Sequence, residues 1–267
     1  MSIIYGPVPS WRLGRSLGID LLSTRGKTCS FDCVYCQLGR MVNFLTERKE
    51  FVPISRLVLE LEPIRSVAAD YATFSGVGEP TLASNLGQAI NIVKTILGLP
   101  VAVLTNSSLI SRKDVRQELA RADVVVAKLD APNERLFRTI NRPAAAYSLD
   151  EVLQGIRRFR SEFSGKLALQ MMFIEANKDV ASEMAKIAEH LSPDEVQLNT
   201  PLRPCAVKPL PAEDMSTIWE AFSGFRKVLT VYEAPRVGVA PLNLEETRRR
   251  RPKREEIDYG CQDNHIK

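Results

Sequence analysis

Three thiols fall within eight residues of this 267-residue chain. They are Cys29, Cys33 and Cys36 in Lys27-Thr28-Cys29-Ser30-Phe31-Asp32-Cys33-Val34-Tyr35-Cys36, a C-x3-C-x2-C spacing. Soft thiolate sulfur suits iron and zinc, and clustered cysteines in a reducing compartment are more often metal ligands than disulfide partners. Three thiolates on one short loop reach three irons of a cubane [4Fe–4S] cluster and leave the fourth iron without a protein ligand. An open coordination position is where a metal centre does chemistry. A zinc site needs a fourth ligand close by, yet Cys205 and Cys261 are remote and the only histidines are His190 and His265. Three unrelated core thiols are the plain alternative.

Other polar residues stand where expected strands end. Thr105-Asn106-Ser107-Ser108 follows an apolar run; its short side chains suit ribose hydroxyls or a helix cap. Lys128 and Asp130 emerge together from the buried run before them, either into a barrel mouth or as a structural ion pair. Gln170, Met172, Gln197, Asn199 and Thr200 are candidates for the interior lining. Arg12, Arg15, Arg25, Lys27 and Arg40 surround the cysteine loop in sequence. If they face the mouth they favour an anionic substrate such as a phosphate, a nucleotide or RNA; otherwise they are surface charge.

The elements that must position these residues alternate. Strands are expected at 16–22, 71–75, 101–104, 123–129, 166–174 and 195–198. Helices are expected at 54–68, 83–97, 112–121, 149–163, 180–191 and 214–222. Six strand–helix units with near-continuous apolar strands predict a parallel sheet with helices outside. Six are too few for the usual eight-unit closed barrel, so the expected fold is α/β, a partial (β/α)6 TIM-like barrel.

The cysteine spacing, with the aromatic Tyr35 just before the last thiol, resembles the signature of the radical S-adenosylmethionine (SAM) superfamily. The resemblance spans Gly14 to about Arg203. It implies that Cys29, Cys33 and Cys36 hold a [4Fe–4S] cluster whose open iron chelates SAM. One electron, from an external donor such as flavodoxin or ferredoxin, then cleaves SAM to a 5′-deoxyadenosyl radical that takes hydrogen from a substrate. Ser75-Gly76-Val77-Gly78-Glu79-Pro80 resembles the superfamily's glycine-rich motif, which contacts the SAM amino group. Taken alone it is equally a strand-to-helix turn. On this resemblance Tyr35, Gly76, Gly78, Glu79, Pro80, Thr105, Asn106, Ser107, Lys128 and Asp130 are the expected SAM-site residues. The 6–20 stretch, Cys36-Gln37-Leu38-Gly39-Arg40 and Ile140-Asn141-Arg142-Pro143 resemble a group of short bacterial and archaeal members related to the wyosine tRNA-modifying synthases. Those synthases carry a second cysteine cluster nearer the N-terminus, and no cysteine precedes Cys29 here.

Composition narrows the classes further. A 45% apolar and 25% charged content is that of an ordinary globular protein, and a net charge of +4 permits an anionic partner without demanding one. Two histidines make histidine acid–base chemistry an unexpected mechanism. No apolar stretch is long enough to cross a membrane and the first ten residues do not read as a signal peptide, so a cytoplasmic protein is expected. Composition shifts after Ala234, which divides the chain into a core barrel at 1–235 and a basic extension at 236–267. The alternative to an enzyme is an Fe–S or SAM-binding protein that carries electrons or regulates without turnover. A carrier would cap every iron with cysteine, and only three lie in the loop.

Overall fold

The computed structural model describes residues 2–234 and 237–252. The chain opens with an antiparallel pair, β1 (Ile4–Ser10) and β2 (Gly14–Ile19). Two short strands pair in parallel, β3 (Thr28–Cys29) and β4 (Asn43–Phe44). Helices and strands then alternate: α1 (Ile54–Leu61), β5 (Tyr71–Phe74), α2 (Leu86–Leu97), β6 (Val101–Thr105), α3 (Lys113–Leu119), β7 (Val124–Lys128), α4 (Glu134–Ile140) and α5 (Leu149–Glu162). They continue as β8 (Lys166–Met172), α6 (Ala181–Leu191), β9 (Glu195–Asn199), α7 (Ala212–Glu220), β10 (Val228–Thr230) and α8 (Leu244–Arg250).

One sheet carries β1-β2-β5-β6-β7-β8-β9-β10 in that order, and every pairing from β2 onward is parallel. Strands added always on the same side curl the sheet into a partial barrel, as the alternating pattern predicts. β1 and β10 are its two free edges among the described residues. Neither was legible beforehand. β1 contains Pro7 and Pro9, which an edge strand tolerates and a central strand does not, and β10 has only three residues. The expected helix at 54–68 stops at Leu61, and residues 62–64 form a single 3-10 turn where Pro63 cannot donate a hydrogen bond. α4 is two turns long, too short to stand out from the apolar pattern around it.

Side chains on each strand alternate between two environments. Val103, Val125, Leu167 and Leu169 pack outward under the helices in the main core. Ala102, Val124, Val126 and Ala168 face inward and pack with Leu13 from the β1–β2 turn. The turn thereby plugs the floor of the barrel. Local signals hold the outer helices: Ser148 and Glu151 form a reciprocal capping box on α5, and Gly98, at φ +63°, ends α2.

The start of the extension packs back on the barrel. The Leu242 amide donates to the Gly6 carbonyl at 2.6 Å, and the Gly6 amide donates to Thr247 Oγ1 at 2.9 Å. Arg250 is 1% exposed. The division expected between 235 and 236 falls outside the described residues, as do Lys253, Arg254, Cys261 and His265.

Candidate active site

The C-terminal ends of the parallel strands carry the polar residues, as in barrels generally. The cysteines sit in the loop that leaves β2. Its base is fastened by the β3–β4 pair, with the Leu45 amide donating to the Cys29 carbonyl at 3.0 Å. Its tip is fastened from the end of α4 and the segment after it: the Val34 amide donates to the Ile140 carbonyl at 2.9 Å and the Asp32 amide to the Arg142 carbonyl at 3.1 Å. Phe31 is buried edge-on against Phe137, with ring centres 5.3 Å apart. Lys27, 4% exposed, donates to Asp32 Oδ1 at 2.8 Å and to the Gly39 carbonyl at 3.3 Å.

The environment of the sulfurs fits an iron–sulfur group. Asn106 Nδ2 donates to Cys29 Sγ at 3.4 Å and Asn141 Nδ2 donates to Cys33 Sγ at 3.5 Å. Such donors tune cluster sulfur. Burial, with the nearby Glu79 carboxylate, pushes the Cys29 thiol up to about 12, and burial also raises Cys33. As bare thiols these groups are neutral; a metal that displaces the proton lets buried sulfur carry charge. Among the described residues no three His, Cys, Asp or Glu side chains converge as ligands of one ion would. Ligands of a cubane each take a different iron and need no common point.

Gly78 lies against the cysteine loop. Thr28 and Gly78 form a parallel bridge, and a Cβ at Gly78 would stand 1.5 Å from the Thr28 carbonyl oxygen. A Cβ at Gly76 would meet the Asp20 carboxyl carbon at 2.2 Å. Glu79 is 2% exposed, and its carboxylate accepts from Thr81 Oγ1 at 2.6 Å, Thr105 Oγ1 at 2.7 Å and the Asn106 amide at 2.6 Å. Burial raises its pKa and these hydrogen bonds oppose the rise. Pro80, also buried, starts the short turn that follows. Asn106 thus ties Glu79 to the cysteine loop through its Cys29 contact, and Thr105 ties Glu79 to the end of β6. Ser107, at φ +70°, donates to the Lys128 carbonyl at 3.1 Å.

Asp130 is buried at a four-way junction. Tyr35 OH donates to its Oδ2 in a short hydrogen bond, Asn141 Nδ2 donates to the same oxygen at 2.6 Å, and the Met172 amide donates to Oδ1 at 2.8 Å. Lys128 Nζ lies 3.8 Å from Oδ2 and 4.3 Å from the centre of the Tyr35 ring. Asn177 fixes the backbone beneath, donating to the carbonyls of Asp130 and Met172 at 2.8 and 3.0 Å. Burial raises the Tyr35 pKa well above its ordinary value, and the Asp130 charge adds to it.

The barrel encloses a cavity of about 800 Å³. Tyr35, Cys36 and Lys128 line its upper end, and Gln170, Met172, Asn199 and Thr200 line the strand wall. Val8–Arg12 of β1 and its turn and Leu202–Pro204 after β9 line the rest of it. Gln197 is buried and donates to Glu195 instead. Of the five cations near the cysteine loop in sequence, Arg12 lines this lumen. Arg15 pairs with Asp70 at 2.7 Å, Lys27 with Asp32, and Arg25 and Arg40 are exposed. Sequence reasoning did not single out Asp20, Asn141, Asn177, Arg203 or Arg250. Asp20 and Asn141 stand inside the stretches that carry the resemblance, whereas Asn177 meets Asp130 and Arg250 meets Asp20 only through long-range contacts, and Arg203 reaches the lumen from the loop after β9.

A profile of the radical SAM superfamily matches residues 24–188. A UPF0026 protein of Synechocystis sp. is 42% identical over 211 residues, covering 79% of this chain and 78% of that one. Streptococcus suis SuiB bound to its precursor peptide superposes with a TM-score of 0.62 at 13% identity, covering 80% of this chain and 48% of that one, so this chain spans about half of SuiB. A radical SAM methyltransferase from Sphaerobacter thermophilus superposes with a TM-score of 0.61 at 18% identity, covering 80% and 66%. The three-cysteine loop, the partial parallel barrel and these matches together make this chain a member of the radical SAM superfamily.

Proposed function

We propose that the protein is a cytoplasmic radical SAM enzyme that takes hydrogen from an anionic substrate held in the barrel lumen. The observation that carries this reading is the position of Cys36 on the wall of the 800 Å³ cavity, at the end of a loop bearing all three clustered thiols. Cys29, Cys33 and Cys36 are the residues to hold a [4Fe–4S] cluster. When bound, that cluster supplies the electron for reductive cleavage of SAM to a 5′-deoxyadenosyl radical.

The chain's own residues do the positioning. The 76–79 turn brings backbone against the cysteine loop, because Gly78 leaves no side chain between them. In this reading it receives the amino group of SAM, with Glu79 setting the local negative charge. Asp130 orients the Tyr35 hydroxyl, which keeps the ring beneath Lys128 at the lumen wall. Lys128, Gln170 and Asn199 offer charge and hydrogen bonds to a substrate there. Leu13, packed on the inner strand faces, closes the floor against water. A one-electron donor such as flavodoxin or ferredoxin completes the system.

The test is anaerobic reconstitution followed by dithionite and SAM. About four irons per chain and formation of 5′-deoxyadenosine are expected. Iron incorporation without 5′-deoxyadenosine would favour an electron carrier and reject the enzyme.

A further inference from the structure

Among the described residues, arginines with most of their side chain inside the protein are paired with carboxylates, with one cluster of half-buried exceptions. Arg48 bonds to Asp114 at 2.9 Å and also to Glu118; Arg116 pairs with Glu162 at 2.9 Å; and Arg250 pairs with Asp20 at 2.8 Å. The exceptions are Arg12, Arg203 and Arg251. They come from the β1–β2 turn, the loop after β9 and the residue following α8, yet all three line the lumen. Arg12 Nη1 is buried without a hydrogen-bond partner. Its guanidinium lies 4.8 Å over the Trp11 ring. Arg251 reaches the Pro9 carbonyl at a long 3.5 Å. Among the described residues the one carboxylate acting on the trio is Glu195, on Arg12, and it is already bridged by Lys166 at 2.6 Å and Lys227 at 2.8 Å.

We propose that Arg12, Arg203 and Arg251 form an anion subsite in the lumen that takes the phosphate groups of a small phosphorylated substrate. Three guanidiniums with no carboxylate in salt-bridge contact match a multiply charged oxyanion, which each grips through paired N–H donors. Their present state is unfavourable. Burial, aided by Arg251, holds Arg12 and Arg203 down at about 10, and a bound anion relieves both effects. The subsite shares one cavity with Cys36 and Lys128, so one molecule in the lumen meets both ends. This deepens the enzyme reading by naming its substrate class.

The experiment is a titration of the full, anaerobically reconstituted chain with inorganic pyrophosphate, read by calorimetry and by the melting temperature. Saturable binding that weakens steeply with salt is expected, with at least a tenfold loss in Arg12→Gln and in Arg203→Gln and no change in Arg15→Gln. Arg12→Gln is also expected to melt higher than the parent without ligand, since it removes an unpaired charge; a residue with a purely structural role would melt lower. Arg203→Gln repeats the test should Arg12→Gln not fold. No binding by the folded chain, or undiminished binding in both variants, overturns the proposal. So does a loss confined to SAM affinity, which assigns the arginines to the SAM carboxylate, or a loss confined to bulk tRNA, which assigns them to nucleic acid. The titration requires neither SAM nor reductant. Its failure is therefore distinguishable from a failure to form 5′-deoxyadenosine.

Discussion

Arg250 and Asp20, 230 positions apart in the chain, meet at 2.8 Å and are 1% and 2% exposed. Asp20 stands just past the end of β2, where the cysteine loop begins. Its Oδ1 accepts from the Leu22 and Ser23 amides at 3.1 and 3.0 Å, and its Oδ2 from the Val77 amide at 3.3 Å. Arg250 also donates to Glu246 Oε2 at 2.6 Å and to the Ser2 carbonyl at 2.9 Å. One buried ion pair therefore joins α8, the chain's start, the cysteine loop and the glycine turn.

Removing one partner of such a pair strands a buried charge and costs about 3–5 kcal/mol. Arg250→Ala is expected to lower unfolding free energy by that amount, measured by urea denaturation. The double variant Asp20→Asn with Arg250→Met should lose less than Arg250→Ala alone. A loss under about 1 kcal/mol in Arg250→Ala would mean that α8 adds little to the barrel.

The iron content should depend on three thiols only. Cys29→Ala, Cys33→Ala and Cys36→Ala are each expected to lose the brown chromophore after anaerobic reconstitution. Cys205→Ala should keep it, because Cys205 sits past β9 with its thiol on the Val207 carbonyl at 3.2 Å. Iron and sulfide analysis decides; loss of iron in Cys205→Ala would reject the three-ligand assignment.

Gly78→Ala forces a Cβ into the Thr28 carbonyl, which is backbone and cannot swing aside. The turn and the cysteine loop must separate, at a cost of about 1–3 kcal/mol or more. Reduced stability together with reduced iron retention is expected. Gly224→Ala meets nothing within 4 Å and serves as the neutral comparison. Equal urea midpoints for the two variants would show that the close approach is not required.

Glu79→Ala should separate SAM binding from cluster assembly. Losing one charge-assisted hydrogen bond costs about 1.5–3 kcal/mol, roughly tenfold or more in affinity. Equilibrium dialysis with labelled SAM is expected to show that drop at near-normal iron content. Unchanged SAM affinity would confine Glu79 to its contacts with Thr81, Thr105 and Asn106.

Asn141→Leu removes the amide that bonds Asp130 and reaches Cys33 Sγ. A buried carboxylate loses a donor, so a loss of about 1–3 kcal/mol is expected. If the amide also tunes cluster sulfur, the reduction potential read by voltammetry should fall. An unaltered potential would leave Asn141 as a brace for Asp130 alone.

Much of this protein was legible in its chain order. The thiol spacing of Cys29, Cys33 and Cys36 is a property of one short loop, and short-range geometry survives any fold. The six strand–helix units followed from near-continuous apolar runs and period-3.6 segments, which are also local. Gln170 and Asn199 were read as candidates for the interior lining and Lys128 as opening into the barrel mouth or as part of an ion pair, and each of the three lines the lumen. What only the tertiary structure decided is how distant segments meet. β1 hides behind two prolines, and its role as an edge strand depends on β2 beside it. Glu79, Thr105 and Asn106 were read as separate motifs, yet they form one hydrogen-bonded group because β5 and β6 are neighbours. The chain from 236 onward read as a basic extension separate from the barrel; burial of Arg250 and the turning of Arg251 into the lumen with Arg12 and Arg203 depend on α8 docking across β1. Charge and polarity are written in the sequence, but whether a charge finds a partner is a long-range fact, set by which surfaces the fold brings together.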